Sequence, residues 1–372
     1  MGGRRILITG GAGFIGSHLA DHLLARGDEV RALDVLSPQV HGDGARRPDY
    51  LDPAVELVVG DCRDAESVRR ALRGVDAVVH LAAAVGVGQS MYEVDRYVSV
   101  NDLGTAVLLQ ALIATPVERL VVASSMSLYG EGLYRDGAGR LVTAERTRDQ
   151  LVQRRWEPLG SRGEPLTPVP TPETKPPALA SIYALSKFDQ ERMSLLVGEA
   201  YGIATTALRF FNVYGTRQAL SNPYTGVLAI FAARYLNGRP PLVNEDGGQR
   251  RDFVSVKDVA SACRLALEVP GAAGQVLNVG SGRSFSVLEV AGRLAEALGR
   301  EDVAPEVTQR YRVGDIRHCF ADISRARRIL GYEPQVSFEE GIAELGGWLE
   351  GRVAHDRVLE ASAELAARGL SL

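Results

Sequence analysis

Three groups of residues in this chain have the types and spacing to do chemistry: a glycine-rich turn, a serine pair, and a tyrosine four residues ahead of a lysine. The turn runs Gly10-Gly11-Ala12-Gly13-Phe14-Ile15-Gly16. Gly10 permits a tight turn out of a strand. Gly13 lets backbone approach a pyrophosphate, and Gly16 lets helix and strand pack closely. The helix that follows aims its first amides and the positive end of its dipole at the phosphates. Asp34, 18 residues after Gly16, ends the next apolar run. A carboxylate there hydrogen-bonds a ribose 2′-hydroxyl and repels a 2′-phosphate, which favours NAD over NADP; a turn cap is the alternative. Asp61 stands either at the adenine edge of the same cofactor or at a helix N-terminus.

Tyr183 and Lys187 share one helical face. A phenol is a poor base near neutral pH, and a neighbouring cation lowers its pKa. The positive nicotinamide ring would lower it further, and Lys187 can also hold the nicotinamide ribose. Ser124 and Ser125 end an apolar strand at its carboxyl end, where ligands bind in open α/β sheets. A hydroxyl there can contact a substrate oxygen and share its proton with the tyrosinate; capping the turn is the other reading.

These groups need a scaffold. Short apolar runs at 5–9, 29–34, 57–60, 77–81, 120–124 and 205–210 alternate with helix-length segments at 16–26, 65–73, 94–114 and 182–201. Such alternation predicts an α/β fold, a Rossmann-type doubly wound parallel sheet covered on both faces. The expected division is an NAD-binding domain over 1–215 and a smaller mixed α/β substrate domain over 216–350, with chain crossings between them and a terminal helix over 351–372. Helices are expected near 227–237, 256–268 and 286–298, with a short strand at 277–279. Residues 131–180, rich in proline and glycine, interrupt the pattern as a stiff surface loop or a lid.

The composition narrows the classes. A net charge of −4 without a long basic block argues against nucleic acid or a membrane surface as the main partner. No apolar run is expected to reach membrane-span length. Cys62, Cys263 and Cys319 are scattered, which fits a reducing cytoplasm and neither a disulfide framework nor a metal site.

Taken together, Ile8 to Gly16, His80-Leu81-Ala82-Ala83, Val100-Asn101, Ser124 to Gly130 and Tyr183 to Lys187 resemble the extended short-chain dehydrogenase/reductase family, specifically its nucleotide-sugar epimerases and dehydratases. The resemblance covers roughly residues 4–350. It implies NAD held by Gly10, Gly13, Phe14, Ile15, Gly16, Asp34, Asp61, Cys62, Leu81, Ala82, Ala83, Asn101, Tyr183 and Lys187. Tyr183 would be the base or acid, Lys187 its tuner, and Ser125 the hydroxyl on the sugar oxygen, with Met126 beside it. Asn101 would support the active-site helix. Asn212 and Arg251 would hold the diphosphate of a dTDP- or UDP-sugar, Arg312 would be a second phosphate arginine, and Asn244 would meet the nucleobase. Cys319 matches a position that gates pocket size in hexose 4-epimerases.

Where sugar 4,6-dehydratases carry Asp-Glu and sugar-acid decarboxylases a glutamate, this chain has Met126-Ser127. The resemblance therefore points to 4-epimerisation through a transient 4-keto sugar, with an NADPH-dependent ketoreductase or a non-catalytic NAD-binding protein as alternatives. The 131–180 segment resembles enzymes assigned to dTDP-L-rhamnose 4-epimerisation. It lacks the cysteine pairs that suggest zinc in many of them, because no cysteine lies between 62 and 263. The family also implies a homodimer through a four-helix bundle built from 94–114 and 182–201.

Overall fold

A computed structural model describes residues 3–44, 46–352 and 354–371. Seven strands form one parallel sheet: β1 Arg5–Thr9, β2 Glu29–Asp34, β3 Glu56–Val59, β4 Ala77–His80, β5 Arg119–Ser125, β6 Ala204–Phe210 and β7 Val276–Val279. Their spatial order is β7-β6-β5-β4-β1-β2-β3. The direction of winding reverses between β1 and β4, which opens a crevice at the carboxyl ends of both strands. The run at 277–279 is thus the seventh strand of this sheet, with Asn278 opposite Arg209.

Apolar residues fill both faces of the sheet. Ile6 and Ile8 join Leu19 and Val259 on one side, while Leu7 joins Val68, Leu108 and Leu112 on the other. The helix Phe14–Leu24 starts earlier than its apolar spacing suggests, because Gly13 serves as its N-cap. The helix Val94–Ala114 corrects one expectation. Within it an 18-residue window has a mean hydropathy of 1.3, enough by length and composition to cross a membrane. Leu108, Leu109 and Leu112 are instead buried against the sheet, and Asp95, Arg96 and Asp102 punctuate the rest. Its turns widen to π type over Val98–Leu103, around Asn101.

A second core lies outside the sheet. Phe285 and Phe338 stack at 4.4 Å, packed with Tyr214, Phe231, Phe253 and Leu345. Its helices Val287–Ala297 and Phe338–Leu349 each open on a capping box, Ser286 with Glu289 and Ser337 with Glu340. The terminal helix is shorter than 351–372, spanning Val358–Ala367.

Residues 131–180 form a three-stranded sheet from Leu133–Arg135, Leu141–Val142 and Thr167–Val169. A buried charge cluster ties this segment to the second core. Arg146 bridges Glu131 and Glu245, and Arg317 bridges Glu245, Glu157 and Asp246. None of its described residues lines the main cavity, so the segment is pinned as a buttress and does not sit as a lid.

Candidate active site

A cavity of about 1000 Å³ occupies the crevice and extends to the second core. Gly10, Gly13, Phe14, Ile15 and Gly16 form its floor. Gly10 has φ +70°, and a Cβ there would meet Ala82 N at 3.0 Å. A Cβ on Gly16 would stand 2.3 Å from Gly10 O, so the helix could not approach the strand. A Cβ on Gly13 would meet only Gly10 O, at 3.3 Å. No side chain caps this helix, so its first amides face a space that fits a pyrophosphate.

Asp34 lines the cavity and accepts from Ala12 N at 3.0 Å and Leu36 N at 2.9 Å. It thus caps the turn, and each oxygen keeps a further lone pair for a ribose hydroxyl. Asp61 is not a helix cap; Asp64 fills that role, accepting from Glu66 and Ser67 amides. Asp61 lines the cavity and pairs with Arg63 at 2.6 Å. Cys62 lines it too, and burial pushes its thiol up to about 12, leaving it unreactive. Leu81, Ala82 and Ala83 complete this side. Asn101 stands behind the lining. Its Oδ1 accepts from Ala84 N at 2.7 Å and its Nδ2 donates to Ser186 Oγ at 2.9 Å, tying the loop after β4 to the helix Ile182–Tyr201.

Ser125, Met126, Ser127, Tyr183 and Lys187 meet on one wall. Strand alternation separates the two serines. Ser125 Oγ stays at the cavity and accepts from Ser127 N and Oγ at 3.1 and 2.9 Å. Ser124 Oγ turns away and donates to Glu191 at 2.7 Å. Glu191 also grips Arg209 with both oxygens, at 2.9 and 2.7 Å. Ser181 caps the helix that carries Tyr183, and Tyr183 N donates to Ser90 Oγ at 3.0 Å.

Burial pushes the Tyr183 phenol up, opposed by the Ser125 hydroxyl. Lys187 Nζ donates to Gln190 Oε1 at 2.6 Å. Burial pulls Lys187 down to about 7. Gln190 Nε2 donates to Thr105 Oγ1 at 2.7 Å, and Thr105 donates to Asn101 O at 2.6 Å. His80 lies between Thr105 and Thr9, at 2.9 and 2.7 Å, and burial drops it to about 3, so it is neutral. The sequence reading missed Gln190; its one trace is its place three residues after Lys187.

The opposite wall gathers Asn212, Arg251, Arg312 and Asn244. Arg251 donates to the carbonyls of Arg250, Arg317 and Ile316, which fixes its guanidinium at the cavity. Those carbonyls are held in turn by the buttress, since Glu131 accepts from the amides of Arg317 and His318. Arg312 pairs with Asp315 at 2.8 Å. Asn212 Oδ1, Gln218 Oε1 and Gln249 Oε1 are buried without a protein partner, all on lining residues. Such groups fit a polar ligand that supplies the missing bonds. Asn244 lends its backbone carbonyl to Gln249 Nε2 at 2.9 Å. Cys319 departs from its expected place: it is buried outside the lining, with its thiol toward Thr171 at 3.9 Å. Its strand is covered by the 131–180 segment on that side, and Ile316 lines the cavity instead.

The sequence profile of the NAD dependent epimerase/dehydratase family matches residues 6–156 and 157–280. The chain belongs to this family. Its members named among relatives include a dTDP-L-rhamnose 4-epimerase of Burkholderia thailandensis, 37% identical over 93% of this chain and 95% of that protein. A UDP-glucose 4-epimerase of Mycolicibacterium smegmatis is 34% identical over 91% of this chain and 96% of its own length. The crystal structure of a Thermus thermophilus UDP-glucose 4-epimerase in complex with NAD has a TM-score of 0.73 and 35% identity, covering 94% of this chain and all of that one. A Thermotoga maritima UDP-glucose 4-epimerase with UDP-glucose has a TM-score of 0.76 and 32% identity, covering 92% and 98%. This epimerase-family chain is an NAD-dependent enzyme of nucleotide-sugar chemistry with a Rossmann-type fold.

Proposed function

We propose that this protein inverts C4 of a nucleotide-linked hexose, on a dTDP-6-deoxyhexose such as dTDP-L-rhamnose. One observation carries the reaction type: the wall that holds Ser125 and Tyr183 continues into Met126 and Ser127 and bears no carboxylate. The acids that line the cavity, among the described residues, are Asp34, Asp61 and Asp315. The first two belong to the glycine-turn side, and the third is paired with Arg312. Loss of water from C5 and C6 needs an acid and a base beside the sugar, and among the described residues no carboxylate lines the Ser125–Tyr183 wall to serve as either.

NAD, when bound, supplies the hydride acceptor and donor at C4. The chain's own groups do the rest. Tyr183 takes the 4-hydroxyl proton and later returns it, with Ser125 hydrogen-bonded to the same oxygen. Lys187 holds the ribose side, and its neutral neighbours His80 and Gln190 keep it in place. Asn212, Arg251 and Arg312 anchor the diphosphate, since guanidinium groups match phosphate oxygens bidentately, while the hexose pivots. Asp34 supports NAD over NADP.

The dTDP-6-deoxyhexose assignment rests on the 37% relative from Burkholderia thailandensis. Its test is a screen of dTDP- and UDP-sugars for C4 inversion by NMR, with mass spectrometry of the co-purified nucleotide. C4 inversion of dTDP-L-rhamnose without net change at 340 nm is the expected result. Stoichiometric NADPH consumption by a 4-keto sugar would overturn it in favour of a reductase. We also infer a homodimer. Exposed Val94, Val98, Leu103, Leu185 and Leu196 lie on the helices Val94–Ala114 and Ile182–Tyr201. Sedimentation should give a dimer at micromolar concentration.

A further inference from the structure

One side of the cavity is lined by the C-terminal tail, which lies beyond the residues matched by the family profile. Val358, Ala361, Ser362 and Leu365 of the helix Val358–Ala367 line it, followed by Ser371. The tail touches both halves of the molecule. On the sheet side, Leu365 packs where residue 88 has no side chain: a Cβ on Gly88 would stand 3.3 Å from Leu365 Cδ2. Tyr92 Oη and Tyr224 Oη lie 2.6 Å apart, and both donate to Glu364 Oε2, at 3.2 and 3.3 Å. Arg368 stacks on the Tyr92 ring at 4.4 Å.

On the other side the tail pairs with the segment that carries Arg312. Val313 N donates to Leu370 O at 2.9 Å, and Arg312 forms an antiparallel bridge with Ser371. The Arg312 side chain and Leu365 flank Gly88 together. The root of the tail is firmer than its end. Asp356 is buried and accepts from Arg234 and Arg239, each at 3.0 Å. Beyond that root two apolar side chains, Ala361 and Leu365, are buried, joined by the Arg368–Tyr92 stack, a few hydrogen bonds and a single bridge. Segments with so few buried apolar contacts open at low free-energy cost.

We propose that the tail beyond Asp356 is a wall of the nucleotide-sugar site, seated over the sugar and diphosphate between Gly88 and Arg312, which swings out when substrate enters or product leaves. This rests on the epimerase reading, since Arg312 is taken there as a phosphate ligand. The wall supplies apolar and backbone contacts to bound substrate and none to the glycine turn, so NAD and nucleotide sugar respond differently to its removal.

Two measurements test it. The chain ended at Arg357, which keeps the Asp356 root, is expected to keep its NAD while KM for dTDP-L-rhamnose or UDP-glucose rises about tenfold or more, as loss of one side of an apolar pocket implies; kcat should fall by less than KM rises. In the full chain, trypsin should cut after Arg357 and Arg368 about fivefold more slowly with saturating dTDP or UDP, because bound nucleotide favours the seated tail. Unchanged KM in the shortened chain, or equal cutting with and without dTDP and UDP, overturns the wall. If the shortened chain does not fold, the trypsin result alone decides. A full chain that binds neither dTDP, UDP nor their sugars overturns the epimerase reading and the wall together; binding with no response to the tail overturns the wall alone.

Discussion

The two long walls of the cavity are built differently. On the catalytic wall, Ser125, Tyr183 and Lys187 stand on a sheet strand and a 20-residue helix, and side chains hold side chains. Glu191 locks Ser124 and Arg209 behind the serine strand, and Gln190, Thr105 and His80 lock Lys187. On the wall that we propose anchors the diphosphate, Asn212, Arg251 and Arg312 stand on two- or three-residue strands and loops. Backbone carbonyls aim Arg251, and a single acid holds Arg312. Proton transfer needs groups fixed to within hydrogen-bond reach. A site that anchors a diphosphate while a sugar turns over needs charge in the right place and tolerates looser support. The 131–180 segment supplies that support from behind.

The sharpest break of the contrast is Tyr183→Phe. We expect kcat to fall by about 10²–10⁴, the usual worth of a positioned acid–base group. Binding of UDP or dTDP, followed by calorimetry, should be unchanged. A variant with full turnover would remove Tyr183 from the mechanism.

Glu191→Gln tests whether the catalytic wall depends on its buried pair. Arg209 would be left as an uncompensated buried charge, which costs about 3–5 kcal/mol, read as a lower denaturant midpoint at constant m-value. An unchanged midpoint would mean that the strand and helix hold without the pair.

Arg251→Lys probes the other wall. A point charge cannot reproduce the planar fork, and a lost charge-assisted bond is worth about 1.5–3 kcal/mol. KM for the nucleotide sugar should rise roughly ten- to hundredfold, with a smaller change in kcat and a loss of stability of about 1–3 kcal/mol from the carbonyls the guanidinium satisfies. A fall in kcat alone would contradict its role as an anchor.

The smallest effect is expected at the buttress. Against the cost of burial, His318 and Arg317 hold the Glu157 carboxyl down at about 2. A depressed carboxylate stabilises the folded state fully above its unfolded pKa, about 4.5, and that stability is lost as pH falls through 2. Glu157→Gln should therefore flatten the stability–pH curve between about 4.5 and 2 and leave neutral-pH kinetics almost untouched. A curve of unchanged slope would show that this carboxyl is not linked to folding.

Much of the sheet half was legible in the sequence because its signals are local. A glycine that must adopt positive φ, apolar runs of strand length and a tyrosine one helical turn from a lysine are all encoded within a few residues. Six of the seven sheet strands lie where the apolar runs fall, and the seventh, Val276–Val279, was visible only as an isolated run without a sheet to join. The helix Phe338–Leu349 passed unread although its capping box, Ser337 to Glu340, is plain in the sequence.

What the sequence determined by itself was the chemistry available: which residues could cradle phosphate, carry a proton or grip an anion, and which acids were missing beside Ser125. Tertiary structure alone decided how those groups are supported and which face the cavity. Strand alternation sends Ser125 Oγ to the cavity and Ser124 Oγ to Glu191, and Thr105, 85 positions away, holds the Gln190 that accepts from Lys187. Cys319 is turned behind the lining, the 131–180 segment stands behind a wall where a lid was one expectation, and the C-terminal tail lines one side of the cavity. These contacts join residues dozens to hundreds of positions apart. Spacing along the chain carries no record of them, because they depend on how separate elements pack and not on local backbone preference.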